Sequence, residues 1–236
     1  MSDLRHRTLS TNGIQMHVVE AGDAGAPLVL LCHGFPESWY SWRHQLPVLA
    51  AAGYHVVAPD MRGYGQTDKP DDVHAYTQLH HVGDMVGVLD AFDAKTATII
   101  GHDWGAPVAW NAAVLRPDRF TAIAALSVPW SPRAPMPPTH LMKMLFGEQW
   151  FYFLYFQEPG KAERELDPAA ETFLRAALET DAQNMTRHLD LAGLLAGHGR
   201  YSDADAVLRE GLLVYPHSSV LRELRQSMSM LASARA

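Results

Sequence analysis

The sequence predicts an α/β architecture, a mostly parallel sheet with helices on both faces, followed by a short all-helical tail. Three observations predict it. Apolar runs of strand length alternate with patterns of helical period from Ile14 to Pro129. Two of those runs, "PLVLLC" (27–32) and "GYHVVAPD" (53–60), are almost continuously apolar, as in strands covered on both faces. Beyond about residue 182 the strand-like runs stop and helical patterns continue.

The elements follow in order. "IQMHVVEAG" (14–22) alternates apolar and polar residues and stops at glycine, the pattern of a strand. The two continuous runs come next, with the helical pattern "SWYSWRHQLPVLAAAG" (38–53) between them. "LHHVGDMVGVLDAF" (79–92) is the second helix, "TATII" (96–100) the next strand, "APVAWNAAVL" (106–115) the helix after it, and "TAIAALSVP" (121–129) a closing strand. Strand–helix alternation makes neighbouring strands parallel through right-handed crossovers. In such sheets, sites form beyond the carboxyl ends of the strands. "HGFPESW" (33–39), "DMRGYGQTDKP" (60–70) and "GHDWG" (101–105) all fall there.

Composition narrows the function classes. The chain of 236 residues is 47% hydrophobic, enough for a sizeable core, and its formal net charge of −7 comes without a lysine or arginine cluster to neutralise phosphates. No nucleic acid is expected as a partner. No run approaches the roughly 18 apolar residues of a membrane span, and "MSDLRHRTLS" lacks the apolar stretch of a signal peptide. Cys32, the single cysteine, reads as a buried strand thiol, so a cytoplasmic protein without disulfides is expected. No histidine, cysteine and carboxylate spacing suggests a metal site, and neither metal nor cofactor is expected.

Gly101 and Gly105 flank Asp103 at the spacing of the G-x-S-x-G nucleophile elbow, where a strained strand-to-helix turn needs small neighbours and pushes one side chain out above the sheet. Here that side chain is a carboxylate. Acyl transfer to a carboxylate gives a mixed anhydride, whereas attack at a saturated carbon gives a stable alkyl ester. The substrate chemistry that suits it is therefore an epoxide or a haloalkane. The backbone N–H groups of Phe35 and Trp104 are the candidate oxyanion donors for the second step, in which water attacks the enzyme's own ester. A helix-capping role for Asp103 is the alternative. His33 reads as support for the oxyanion loop, and Arg62, Gly63, Tyr64 and Gly65 as a structural loop.

"LCHGFPESWYSWRHQLPVLAAAGYHVVAPDMRGYG", "IIGHDWGAPVAW", "RPDRF" with "SVPWSPR", and "FYFLYFQEPGKAERELD" together resemble the epoxide hydrolases of the α/β-hydrolase superfamily, from about residue 10 to about residue 180. The resemblance implies an α/β-hydrolase fold with Asp103 as nucleophile, Phe35 and Trp104 as oxyanion donors, and Tyr152 as the first of two cap tyrosines that bind and protonate the epoxide oxygen. It also implies that Pro36 and Trp39, with Tyr152, line the pocket for a small apolar epoxide. A phenol suits this task because an alkoxide is a poor leaving group. Without the resemblance, Tyr152 reads as one more packing ring in "WFYFLYF". Haloalkane dehalogenases share the aspartate elbow, but usually have asparagine where Phe35 stands.

After about residue 182 the sequence shows no strand–glycine–aspartate loop and no late histidine of the kind that activates water in this family. The general base is thus unknown; His188, His198 and His217 are present, and none is nominated. Gly199, Tyr201, Ala204, Leu208, Gly211 and Pro216 fall at offsets resembling the second half of a tetratricopeptide repeat, with Leu191, Leu194 and Leu195 in its first helix. An unrelated helical hairpin is the alternative. One repeat does not bury its apolar face alone, so the tail is expected to pack on the hydrolase-like part or on another chain.

The expected organisation is a hydrolase core over 1–134, a partial helical cap over 135–182 and a helical tail over 183–236. With the last strands of the fold not found, the sheet is expected to show an open edge, and self-association through that edge or the tail follows. A non-catalytic binding or interaction protein, derived from a truncated and fused hydrolase, is the alternative from another class.

Overall fold

The first unit is built on β1 (Arg5–Thr11), β2 (Ile14–Ala21), β3 (Leu28–Cys32), β4 (His55–Pro59), β5 (Ala97–His102) and β6 (Phe120–Leu126), with α1 (Gln45–Ala51), α2 (Gln78–Ala91) and α3 (Gly105–Leu115) between them. The computed structural model describes residues 4–132, 134–147, 149, 151–181, 183 and 185–233, and these fall into two compact units that divide after residue 133.

The strands form one sheet in the order β1-β2-β4-β3-β5-β6. β1, β2 and β4 pair antiparallel, and β4, β3, β5 and β6 are parallel, which is the mostly parallel sheet expected. Alternation along the strands sorts the core into two layers. Met16, Val18, Leu30, Val57 and Ile99 lie in one cluster with Met85, Val88 and Leu89 of α2 and Val108 and Ala112 of α3. Val19, Val29, Leu31 and Val56 lie in the other with Trp42 and Leu46. Each such side chain contributes roughly 1.5–3 kcal/mol by leaving water. β3 and β4 are buried along their whole length, as their uninterrupted apolar sequences require.

Two features differ from the sequence expectation. The helical pattern over 38–53 splits into a 3-10 turn, Trp39–Trp42, and α1. Pro47 sits in the first turn of α1, where its missing N–H has no partner to lose, and this fixes the helix start. β1 was not expected, because "RHRTLST" is polar and buries only Leu9 and Thr11. It is an edge strand held to β2 by a two-residue turn, Asn12–Gly13, both at positive φ (44° and 81°), the conformation the Asn-Gly pair favours in hairpins.

The second unit contains α4 (Pro138–Phe146), α5 (Tyr152–Tyr155), α6 (Lys161–Thr180), α7 (Met185–Gly197), α8 (Tyr201–Val214) and α9 (Ser219–Ser233). Leu191, Leu195, Leu208 and Leu221 centre a core that also takes in Leu174 and Leu178 of α6. α7–α9 thus bury their apolar faces together with α6, a helix the sequence assigns to the cap. The turn between α7 and α8 runs through Gly199 at φ 70°, as its glycine predicts. Among the described residues no helix is long and apolar enough to cross a membrane.

Candidate active site

β5 delivers the chain into the elbow and α3 leaves it. Asp103 adopts φ 49°, a left-handed conformation tolerated by aspartate but costly for most side chains. Three glycines make the turn feasible. A Cβ on Gly101 would lie 2.1 Å from the Gly105 carbonyl oxygen, one on Gly105 would lie 2.2 Å from the Cys32 carbonyl oxygen, and one on Gly34 would lie 2.4 Å from the Asp103 Cβ. The end of β3, the loop after it and the elbow therefore meet at backbone contact.

The Asp103 carboxylate faces that loop. The Phe35 N–H donates to Asp103 Oδ1 at 2.9 Å, across 68 residues of sequence. The N-cap of α3 is Trp104, and the Asp103 main-chain carbonyl accepts from Ala106 N–H at 3.0 Å. Asp103 is therefore not capping the helix with its side chain, which answers the capping alternative. Pro36 follows Phe35 through a cis peptide bond. Trp39 is half-buried, its N–H donating to Asp60 Oδ1 at 2.9 Å.

Charged and polar neighbours hold these loops. His33 is buried; its Nδ1–H donates to the Gly34 carbonyl at 2.8 Å and its Nε2 accepts from Met61 N–H at 2.9 Å. Burial lowers its pKa, so the neutral ring fixes the turn, as expected of His33. Asp60 accepts from Trp39 N–H, from Gln66 N–H at 3.0 Å and from the His17 ring at 2.8 Å. Arg62 forms a buried two-pronged pair with Asp84, at 2.6 and 2.9 Å, which gives the Arg62–Gly65 loop the structural role expected of it. Among the described residues no cluster of histidine, cysteine and carboxylate groups could hold a metal ion.

Glu37 and His102 were not singled out from the sequence. The Gly34 N–H donates to Glu37 Oε2 at 3.0 Å, and Glu37 Oε1 lies 3.4 Å from His102 Nδ1, beside Asp103 in the chain. The carboxylate thus ties the oxyanion loop to the elbow. Its only sequence signal is its place in "HGFPE".

Asp103, Phe35, Pro36, Trp39 and Trp104 lie in the first unit, Tyr152 at the start of α5 in the second. The Tyr152 ring packs against Phe151 and Phe156, with centroids 5.2 and 6.1 Å away.

Residues 27–193 match the family model of the alpha/beta hydrolase fold. Epoxide hydrolase A of Mycobacterium tuberculosis is 57% identical over 165 residues, 69% of this chain and 51% of that protein. Epoxide hydrolase B of the same organism is 41% identical over 211 residues, 88% of this chain and 58% of that protein. The crystal structure of epoxide hydrolase A from Mycobacterium thermoresistibile matches with a TM-score of 0.70 at 52% identity, covering 73% of this chain and 55% of that one. The chain spans about half the length of the curated relatives it matches. The hydrolase match runs into α7, and nothing in these comparisons supports a tetratricopeptide-type tail. With the elbow, its three glycines and the facing loop in place, the chain belongs to the epoxide hydrolase family within the alpha/beta hydrolase fold.

Proposed function

We propose that the protein opens a small apolar epoxide by attack of Asp103 at a ring carbon. The observation that carries this is the Asp103 carboxylate held at φ 49° and engaged by the Phe35 N–H at 2.9 Å. A carboxylate oxygen forms a bond to the ring carbon, the carbon–oxygen bond of the ring breaks, and the departing oxygen takes a proton from Tyr152. The product is an ester between Asp103 and the opened substrate. Water then adds to the ester carbonyl, the N–H groups of Phe35 and Trp104 stabilise the oxyanion, and collapse releases the diol, restores the carboxylate and returns a proton from the water to Tyr152. Pro36, Trp39 and Tyr152 line the substrate site in this reading.

A phenylalanine at position 35 favours an epoxide over a haloalkane substrate. A cytoplasmic setting suits the single thiol, since Cys32 is buried and pushed by burial up to about 12. Besides substrate, the partner we assign is a second copy of the chain, met at the open sheet edge or the helical tail.

Intact mass spectrometry after incubation with a small aryl epoxide tests the reading, with diol release followed in parallel and Asp103→Ala as control. An adduct confined to Asp103 shows the first half-reaction, and diol shows that the second is also served. Absence of both rejects the enzymatic reading in favour of a binding or interaction protein. Halide release from a haloalkane, without epoxide opening, transfers the assignment to dehalogenation.

A further inference from the structure

His188 of α7 is a buried histidine that the second unit leaves unanswered. It is 3% exposed, and among the described residues neither of its ring nitrogens meets a hydrogen-bonding partner. The ring packs on Gly211 of α8, where an added Cβ would stand 3.0 Å from its Cδ2. Burial lowers its pKa against the opposing pull of Glu210, so the imidazole is neutral near pH 7. A neutral imidazole carries an N–H on one nitrogen and a lone pair on the other, and buried without partners both are costly.

The ring stands in the wall of a cavity of about 340 Å³, formed by α6, α7 and α8 within the second unit and in the size range of small-molecule sites. Leu178, Leu191 and Val214 give it apolar walls. Glu179 and Glu210 complete the lining, both exposed, and neither makes an ion pair or hydrogen bond among the described residues. Arg175, the cation of the lining, is engaged outside it, donating to Glu171 at 2.9 Å. The cavity thus meets solvent with unbalanced negative charge and holds an unanswered imidazole where water is excluded. A metal ion does not suit it, since among the described residues no group of three histidine, cysteine or carboxylate side chains could hold one.

We propose that this cavity binds a small organic amine with an apolar body and a hydroxyl group at its far end. The ammonium pairs with Glu179 and Glu210, the body lies against Leu178, Leu191 and Val214, and the hydroxyl bonds a ring nitrogen of His188. A hydroxyl suits that place because it both donates and accepts, and so answers whichever nitrogen it meets. Two carboxylates turn an anion away, and a ligand without a far hydroxyl leaves the imidazole desolvated and unpaired. The site is independent of the reaction at Asp103.

Isothermal titration calorimetry of the full 236-residue protein with tyramine tests the proposal. Saturable binding with a Kd of about 1 mM or tighter is expected. Phenethylamine, which lacks the hydroxyl, binds about tenfold more weakly. Tyrosol, with a second hydroxyl in place of the ammonium, binds about threefold more weakly or worse, the modest factor expected of exposed carboxylates. His188→Leu brings tyramine down to the affinity of phenethylamine and so removes the difference between them, while the melting temperature holds or rises; the loss is then one of recognition and not of folding. Glu179→Gln together with Glu210→Gln removes the difference between tyramine and tyrosol in the same way. No saturable binding of tyramine overturns the proposal, as does equal binding of tyramine and phenethylamine to the unaltered protein. Tighter binding of the phenolic carboxylate phloretate, or tyramine affinity unchanged by His188→Leu, overturns it too.

Discussion

Gly34→Ala probes the candidate site where it is tightest. The added methyl would stand 2.4 Å from the Asp103 Cβ and 2.6 Å from its Oδ1, whereas ordinary contact begins near 3.4 Å. Relief requires the loop and the elbow to part by about 1 Å, since neither the buried loop backbone nor the short aspartate side chain has another way to yield. A displacement of that size stretches the 2.9 Å bond from Phe35 N–H to Asp103 beyond the range of a hydrogen bond. A 1 Å misplacement of a reacting group costs about 10² in rate. Adduct formation on Asp103 with an aryl epoxide, followed by rapid quench and intact mass, should therefore slow by about 100-fold. Gly25→Ala, whose nearest neighbour would be 3.7 Å away, should react at the unaltered rate. An adduct rate for Gly34→Ala within threefold or so of the unaltered protein, with its fold intact, would refute the idea that contact between loop and elbow positions the nucleophile.

Asp84→Ala removes the partner of the buried Arg62 guanidinium and should cost about 3–5 kcal/mol in urea unfolding, with the double change Arg62→Met, Asp84→Leu costing less than the single one. His188 is buried with neither ring nitrogen hydrogen-bonded, so His188→Leu should hold or raise stability, by up to about 2 kcal/mol. Burial lowers the pKa of His33, His81 and His188 from an ordinary value of 6.5. The unfolded chain therefore takes up protons first as pH falls. The stability these neutral rings contribute is complete above about 6.5 and is lost as pH drops through their lowered values, a slope that His188→Leu should reduce in thermal melts recorded from pH 7 downward. Gly193 lies inside α7 with nothing within 4 Å of an added Cβ, so Gly193→Ala should stabilise by about 0.5–1 kcal/mol in the same melts.

Much of this fold is legible in the sequence because its signals are local. The uninterrupted apolar runs of β3 and β4 specify burial on both faces without reference to anything distant, and Gly199 announces the turn between α7 and α8. β1 escaped because "RHRTLST" has the composition of a loop; its strand character comes from pairing with β2, and the Asn12–Gly13 turn was the one local clue. The extent of the helical core escaped for a similar reason. Leu174 and Leu178 declare an apolar face on α6, but only the packing shows that α7 shares it.

The candidate site divides along the same line. Gly101, Asp103 and Gly105 are readable together because the steric demand acts over five residues, and each glycine stands where a side chain would meet backbone at little more than 2 Å. Asp60 and Glu37 were not readable, because their roles come from joining segments far apart in sequence: Asp60 to His17 across 43 residues, and Glu37 to His102, the residue before Asp103. The two kinds of signal also differ in what they constrain. Steric demand forces the chain through a strained turn but does not choose the side chain at its apex; serine and aspartate both fit it. Hydrogen bonding makes the choice. The Phe35 N–H meets an anionic oxygen, and the carboxylate turned toward that donor, away from the helix it precedes, does not cap the helix.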